Sequence, residues 1–301
     1  MEGIWTKQTM FSSFMLSTIV ILAYSSCLHA MDLERVVPDL IIPSVTDQAP
    51  APGLRVRQVS TNYTGTGVHH VLYLPTDWKK GKRYPVIVEY AGNKWRESSA
   101  GTVEGSKLGY GISGGKGIIW VCMPFVDKTN LTNAVTWWGD VDATVAYCKQ
   151  TIRRICEEYG GDSSNVFLAG FSRGAIACNY IGLHDDEIAS LWRGFICHSH
   201  YDGVRQWAYV ASDRKSAAER LNRLGCRPQF ISHETSIDET KAYLAEAYPA
   251  GKFTFQVLPF PDHTDSWVLR DTLERQALRA WFKKTQLPTT NPPIIVASPI
   301  P

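Results

Sequence analysis

Apolar and polar positions alternate with two different periods along this chain. From Leu54 the runs "LRVRQVS" (54–60) and "VHHVLYLP" (68–75) alternate apolar with polar residues, and the turn-rich "TNYTGTG" separates them. That pattern predicts a pair of half-buried strands. "YPVIVEYAG" (84–92), "GIIWVCMPF" (117–125) and "NVFLAGFS" (165–172) are instead continuously apolar, as strands covered on both faces are. Between the last two, Val141, Val145, Cys148, Ile152 and Ile155 recur at spacings of four and three, and Gly160 follows. This predicts an amphipathic helix over 140–160.

The alternation continues to the C-terminal part. A helix is predicted after Ser172, then a strand in "RGFICHS" (193–199), a helix in "SDRKSAAERLNRLG" (212–225) and a strand in "RPQFISHE" (227–234). "DETKAYLAEAY" (238–248) reads as a helix with Asp238 as its N-cap, "FTFQVLPF" (253–260) as a strand, and "SWVLRDTLERQALRAWFKK" (266–284) as one closing helix. Short apolar strands alternating with amphipathic helices predict an α/β domain, its mainly parallel central sheet covered by helices on both faces.

The ends differ from this body. Lys7, the apolar "MFSSFMLSTIVILAY" and the small residue Ala30 are expected to form a secretory signal peptide over 1–30, with a membrane anchor as the alternative. The expected location is therefore secreted or periplasmic, with no stable membrane span once the signal is removed. Residues 31–53 are proline-rich and aperiodic, and are expected to be an irregular lead-in. The domain is assigned to 54–287 and a proline-rich tail to 288–301.

Composition removes several classes of function. The chain has 301 residues, a formal net charge of +2 and no long run of one sign, so nucleic acid is not an expected partner. Removal of the signal would leave Cys122, Cys148, Cys156, Cys178, Cys197 and Cys226, a set that permits disulfides in an exported protein. Cys148 and Cys156 lie about 12 Å apart along one predicted helix, too far to bridge each other. No cysteine pair has metal-ligand spacing, so no metal is expected. Asn62-Tyr63-Thr64 and Asn130-Leu131-Thr132 match the glycosylation sequon.

The candidate chemistry lies at Gly170-Phe171-Ser172-Arg173-Gly174, between the strongly apolar strand and the helix after it. A strand–turn–helix carrying G-x-S-x-G is the context of a nucleophile elbow, whose strained turn lifts one hydroxyl clear of the sheet. The other reading is a tight turn with a helix-capping serine. His263 sits later, in the loop between the last strand and the closing helix. With that histidine in place, 54–284 resembles the α/β-hydrolase superfamily, and its secreted esterases in particular. The resemblance implies that Ser172 is the nucleophile, that His263 is its base, and that no cofactor is needed. It also implies an oxyanion site made by the N–H of Arg173 and one from "YAGNKW", with Asn93 as candidate donor beside Gly92. "GFSRG" is in addition similar to the G-x-S-R-x-G elbow of glucuronoyl esterases, where the arginine shapes the oxyanion site. The alternative for Arg173 is that it caps a local carboxylate.

The third triad member stays open among three carboxylates. The family pattern places Ser236 at the acid position, and a serine cannot stabilise an imidazolium as a carboxylate does. Glu234 ends its strand and is favoured; Asp202 follows the preceding strand; Asp238 lies four residues beyond Glu234. Trp95, Trp137 and Trp138 lie near the expected site, where they either stack on a sugar or aromatic group of the substrate or pack beneath the loops. The expected function is a serine hydrolase cleaving a carboxylic ester of carbohydrate, polyester or simple acyl type. The alternatives are a hydrolase-fold binding protein with a decayed triad and a serine peptidase on the same fold.

Overall fold

The computed structural model describes residues 31–96 and 98–288. The signal-peptide expectation for 1–30 and nearly all of the proline-rich tail lie outside the described residues. Among the described residues there are eleven strands: β1 Val45–Thr46, β2 Arg55–Gln58, β3 His70–Tyr73, β4 Tyr84–Tyr90, β5 Ile119–Met123, β6 Val126–Asp127, β7 Thr132–Asn133, β8 Gly161–Phe171, β9 Gly194–His198, β10 Gln229–His233 and β11 Phe253–Val257. Seven α-helices accompany them: α1 Leu108–Ser113, α2 Val141–Glu158, α3 Arg173–Tyr180, α4 Asp186–Ser190, α5 Arg214–Leu221, α6 Asp238–Ala247 and α7 Leu273–Thr285.

Nine strands form one sheet in the order β1-β2-β3-β5-β4-β8-β9-β10-β11. β2 and β3 pair antiparallel, as do β3 and β5. Every other pairing in the sheet is parallel. β8 lies inside the sheet, between β4 and β9, and its apolar run is buried because both faces are covered. Val88 and Leu168 point into one core with Cys148, Ile152, Ala217 and Leu244 of α2, α5 and α6. Ile87, Phe167 and Ala169 point into the other, with Leu108, Ile112, Leu278 and Phe282 of α1 and α7. The two-residue period of a strand divides adjacent side chains between the two cores.

Several sequence expectations need correction. The lead-in is tied down: β1 joins the sheet edge, Leu33 is buried, and Asp39 accepts two hydrogen bonds of 2.7 Å from Arg275. The closing helix is two elements, a 3-10 turn at Ser266–Leu269 and then α7. The break is stabilised by Thr272, whose extended backbone and side-chain oxygen cap α7 through the Arg275 N–H. Asp238 is the first residue of α6 and not its N-cap; Ile237 holds that place, and the Ser236 hydroxyl accepts the Asp238 N–H at 3.2 Å. The short α1 was not expected, because Gly109 and Gly111 obscure its periodicity. Both must be small: a Cβ would lie 2.1 Å from Trp120 at Gly109 and 2.4 Å from Val268 at Gly111. All six cysteines named above are free thiols. No helix among the described residues is long and apolar enough to cross a membrane.

Candidate active site

β8 delivers Ser172 to the C-terminal edge of the sheet, and α3 begins one residue later. Ser172 has φ 54° and ψ −117°, a conformation that L-residues rarely adopt and that costs on the order of 1–3 kcal/mol. Its N–H donates to the His198 carbonyl at 2.9 Å, which pins the turn to β9. The flanking glycines are demanded by space. A Cβ on Gly170 would lie 2.0 Å from the Gly174 carbonyl oxygen, and one on Gly174 would lie 1.9 Å from that of Tyr90. No side chain fits at either position without moving the helix off the sheet.

The structure brings Ser172, His263 and Glu234 together. The Ser172 hydroxyl donates to His263 Nε2 at 3.1 Å, and His263 Nδ1 donates to Glu234 Oε1 at 2.6 Å. The His263 ring packs on Phe171 at 4.9 Å between centroids. Burial raises the Glu234 carboxyl, but the hydrogen bond from His263 and the neighbouring imidazoles outweigh it and hold the group down at about 2. Glu234 is therefore a carboxylate at any ordinary pH.

The other two carboxylates are occupied elsewhere. Asp202 is buried and accepts from Arg220 Nε at 2.8 Å and Nη2 at 3.0 Å, a paired arrangement that fixes α5 to the loop after β9. Asp238 accepts the Ser236 hydroxyl at 2.9 Å. Neither has a hydrogen bond to His263 among the described residues.

Ser199 completes the cluster, and the sequence reading missed it. It follows β9 with φ 84°, is buried, and donates its hydroxyl to Glu234 Oε1 at 2.8 Å. Ser199 Oγ also lies 2.8 Å from His263 Nδ1. The available signal was its place directly after the strand next to β8. His198 lies beneath the cluster, 3.0 Å from Ser232 Oγ and 3.0 Å from the Thr264 carbonyl beside His263.

Asn93 and Arg173 lie on the opposite side of Ser172. A Cβ on Gly92 would lie 3.4 Å from Ser172 Cβ, so Gly92 packs beside the Ser172 side chain. The Asn93 side-chain oxygen accepts the Trp137 N–H at 2.8 Å, and Lys94 N–H donates to Val135 at 2.8 Å. Among the described residues, neither the Asn93 nor the Arg173 backbone N–H has a partner. Among the described residues the Arg173 side chain caps no carboxylate, which corrects one of its two sequence readings. Its guanidinium is buried 4.0 Å over Phe125 and donates to the carbonyls of Ala134 (3.3 Å), Trp137 and Gly101 (3.4 Å). Burial pulls it down to about 9, so it remains charged at neutral pH.

The three tryptophans separate. Trp138 is 4% exposed and stacks on Tyr180, so it packs beneath the loops. Trp137 is half-buried at φ 49° and faces Trp207. Trp95 is 71% exposed, with the Arg96 guanidinium 5.7 Å from its ring. Among the described residues no group of three His, Cys, Asp or Glu could hold a metal ion.

No protein-family model matches the sequence. No curated relative matches it either. Solved structures do resemble the fold. An acetyl ester-xyloside bifunctional hydrolase from Caldicellulosiruptor lactoaceticus superposes with a TM-score of 0.55 at 13% identity, over 79% of this chain and 98% of that one. A Bacteroides ovatus protein assigned as a dipeptidyl aminopeptidase IV gives 0.52 at 14% identity, over 76% of this chain. A thermostable esterase gives 0.48 at 16%, over 77%. The chain spans 36% of the length of the Bacteroides protein and 62% of that of the thermostable esterase. At these identities the likeness concerns architecture alone. With its mostly parallel nine-stranded sheet and helices on both faces, the chain has the α/β-hydrolase fold, in line with its likeness to the bifunctional hydrolase.

Proposed function

We propose that this protein is a serine hydrolase that cleaves a carboxylic ester through an acyl-enzyme. The observation that carries the reading is the line from Ser172 Oγ to His263 Nε2 (3.1 Å) and from His263 Nδ1 to Glu234 (2.6 Å), starting from a strained elbow. In this reading Ser172 Oγ attacks the ester carbonyl while His263 takes its proton. Glu234 holds the Nδ1–H tautomer and stabilises the imidazolium. The N–H groups of Asn93 and Arg173 receive the oxyanion at the N-terminus of α3, where the helix dipole favours negative charge. His263 then protonates the leaving alcohol, and water releases the acyl group by the same steps in reverse order. The Arg173 guanidinium, bonded to three loop carbonyls, positions the loops around that oxyanion site.

The ester carries a carbohydrate or aromatic group in this reading, because half-buried aromatic rings adjoin the triad. The protein acts after export, and the apolar stretch before Ala30 supports removal of 1–30. N-terminal sequencing of the protein recovered outside the cytoplasm tests this; retention of Met1 on membranes would contradict it.

The central test is Ser172→Ala. Hydrolysis of p-nitrophenyl acyl esters and labelling by a fluorophosphonate should both disappear while the thermal unfolding transition persists. Near-normal turnover in the folded variant would refute the mechanism, and an unlabelled, inactive wild type would favour a binding protein with a decayed triad.

A further inference from the structure

A line of rings joins the oxyanion side of the site to the base. Trp137, whose N–H is held by Asn93, lies 5.3 Å from Trp207 between centroids. Trp207 lies 5.6 Å from His200, and His200 lies 5.3 Å from His263. Trp137, Trp207 and His200 are each half-buried, so part of each ring remains open to solvent. Beyond Trp207 the residues following β9 and β10 line a partly open recess on the His263 side of the triad.

The recess is polar as well as aromatic. His200 Nδ1–H donates to the Ser199 carbonyl at 2.9 Å, which leaves Nε2 as a bare acceptor. His233 Nδ1 accepts the Thr235 N–H at 3.1 Å, which leaves Nε2–H as a donor. The two rings are 6.5 Å apart. Burial pushes His200 down to about 4 and lowers His233 too, so both are neutral at ordinary pH. Arg205 and Glu239 also line the recess, with opposite charges.

An acceptor and a donor beside an indole face suit a ring that is apolar on its faces and hydroxylated at its rim. A pyranose is such a ring. A benzene ring would strip water from the same polar groups without replacing their hydrogen bonds. A uronate or phosphate would meet Glu239 as readily as Arg205, so the sugar is neutral. The recess adjoins His263, the group that protonates the leaving oxygen, so the sugar belongs on the alcohol side of the ester.

We infer that the recess floored by Trp207 and edged by His200 and His233 is a subsite for a neutral pyranose whose acylated hydroxyl is the leaving group. This rests on the ester-hydrolase reading above. The Ser172 Oγ–carbon bond forms, the bond from the carbonyl carbon to the sugar oxygen breaks, and the Ser172 proton passes through His263 to that oxygen. Water then returns the free acid and the serine.

The test compares an O-acetylated methyl xyloside with phenyl acetate as substrates for the purified protein. The wild type should favour the acetylated sugar in kcat/KM by about tenfold or more. That ratio should fall by about tenfold in Trp207→Ala, mainly through KM, and recover in part in Trp207→Phe. Independently, unesterified methyl xyloside should bind the intact wild type in calorimetry and inhibit competitively, whereas phenol should do neither. A wild type that hydrolyses phenyl acetate through Ser172 but shows no sugar preference and no glycoside binding would overturn the subsite and leave the hydrolase intact. Loss of both ester hydrolysis and fluorophosphonate labelling, with glycoside still bound, would instead remove the reaction and keep the subsite. An unchanged ratio in a folded Trp207→Ala would also overturn the inference.

Discussion

Glu234→Gln separates the charge of the proposed triad acid from its geometry. Glu234 Oε1 accepts both His263 Nδ1–H and the Ser199 hydroxyl, whereas the buried Oε2 has no hydrogen-bond partner among the described residues. A glutamine can keep its oxygen toward both donors and place its NH2 where Oε2 was. The opposite orientation would set the NH2 against two donors, so the oxygen-first orientation wins and the His263 tautomer survives. What disappears is the negative charge facing the imidazolium in the transition state. With charge centres about 4 Å apart and an effective dielectric of about 20, that charge contributes ~4 kcal/mol. The corresponding loss in kcat is about three orders of magnitude, at little change in KM.

The assay is steady-state turnover of a soluble p-nitrophenyl ester, with the rate of fluorophosphonate labelling measured in parallel. Both rates should fall by a similar factor, because His263 serves the serine in each, and circular dichroism should remain native. Since Glu234 is held at about 2, the loss should be as large at pH 6 as at pH 8. A folded Glu234→Gln within tenfold of wild-type turnover would refute the assignment of Glu234 as the acid.

Other perturbations test neighbouring parts of the argument. Ser199→Ala removes one of two donors on Glu234 Oε1 and should lower kcat by about tenfold, read by the same turnover assay; such a hydrogen bond to a charged group is worth roughly 1.5–3 kcal/mol. Asp202→Asn breaks the buried pair with Arg220 and should cost about 3–5 kcal/mol in urea unfolding, while the folded fraction keeps its kcat; collapse of kcat in folded protein would move the acid to the loop after β9. His70 is buried, accepts the Tyr147 hydroxyl at Nδ1 (2.8 Å), and is held by desolvation at about 3 against an ordinary 6.5. Its contribution is complete above pH 6.5 and is lost as pH falls toward 3, because the unfolded chain takes up the proton first. Urea unfolding at pH 7 and pH 5 should therefore show a smaller difference for His70→Gln than for the wild type, and an equal difference would contradict this.

What the sequence made legible follows from where each group finds its partners. β4 and β8 are evident because both faces are covered, and an unbroken apolar run is the consequence. Ser172 is evident because Gly170 and Gly174 are forced by carbonyls about 2 Å from any added Cβ, so the demand is written in the residues themselves. His263 is evident from chain order. Glu234 could be ranked but not separated from Asp202, since the separation depends on Arg220 reaching back eighteen residues to take Asp202 out of contention.

Ser199 and Arg173 mark the harder limit. A serine with φ 84° is spelled like any other serine, and its closeness to Glu234 comes from the parallel pairing of β9 with β10, not from anything local. Arg173 was expected either at the oxyanion site or on a carboxylate, and its guanidinium found carbonyls of Gly101, Ala134 and Trp137, 36 to 72 residues away. Every residue carries a carbonyl, so such an acceptor leaves no mark in a sequence. A buried cation bonded to backbone carbonyls is thus the partner choice that side-chain patterns describe least. Here it lies under the loops that carry Gly101, Ala134 and Trp137, next to Ser172. The positions of those loops are consequently set by contacts that the sequence conceals, even though the serine beside them was visible from two glycines.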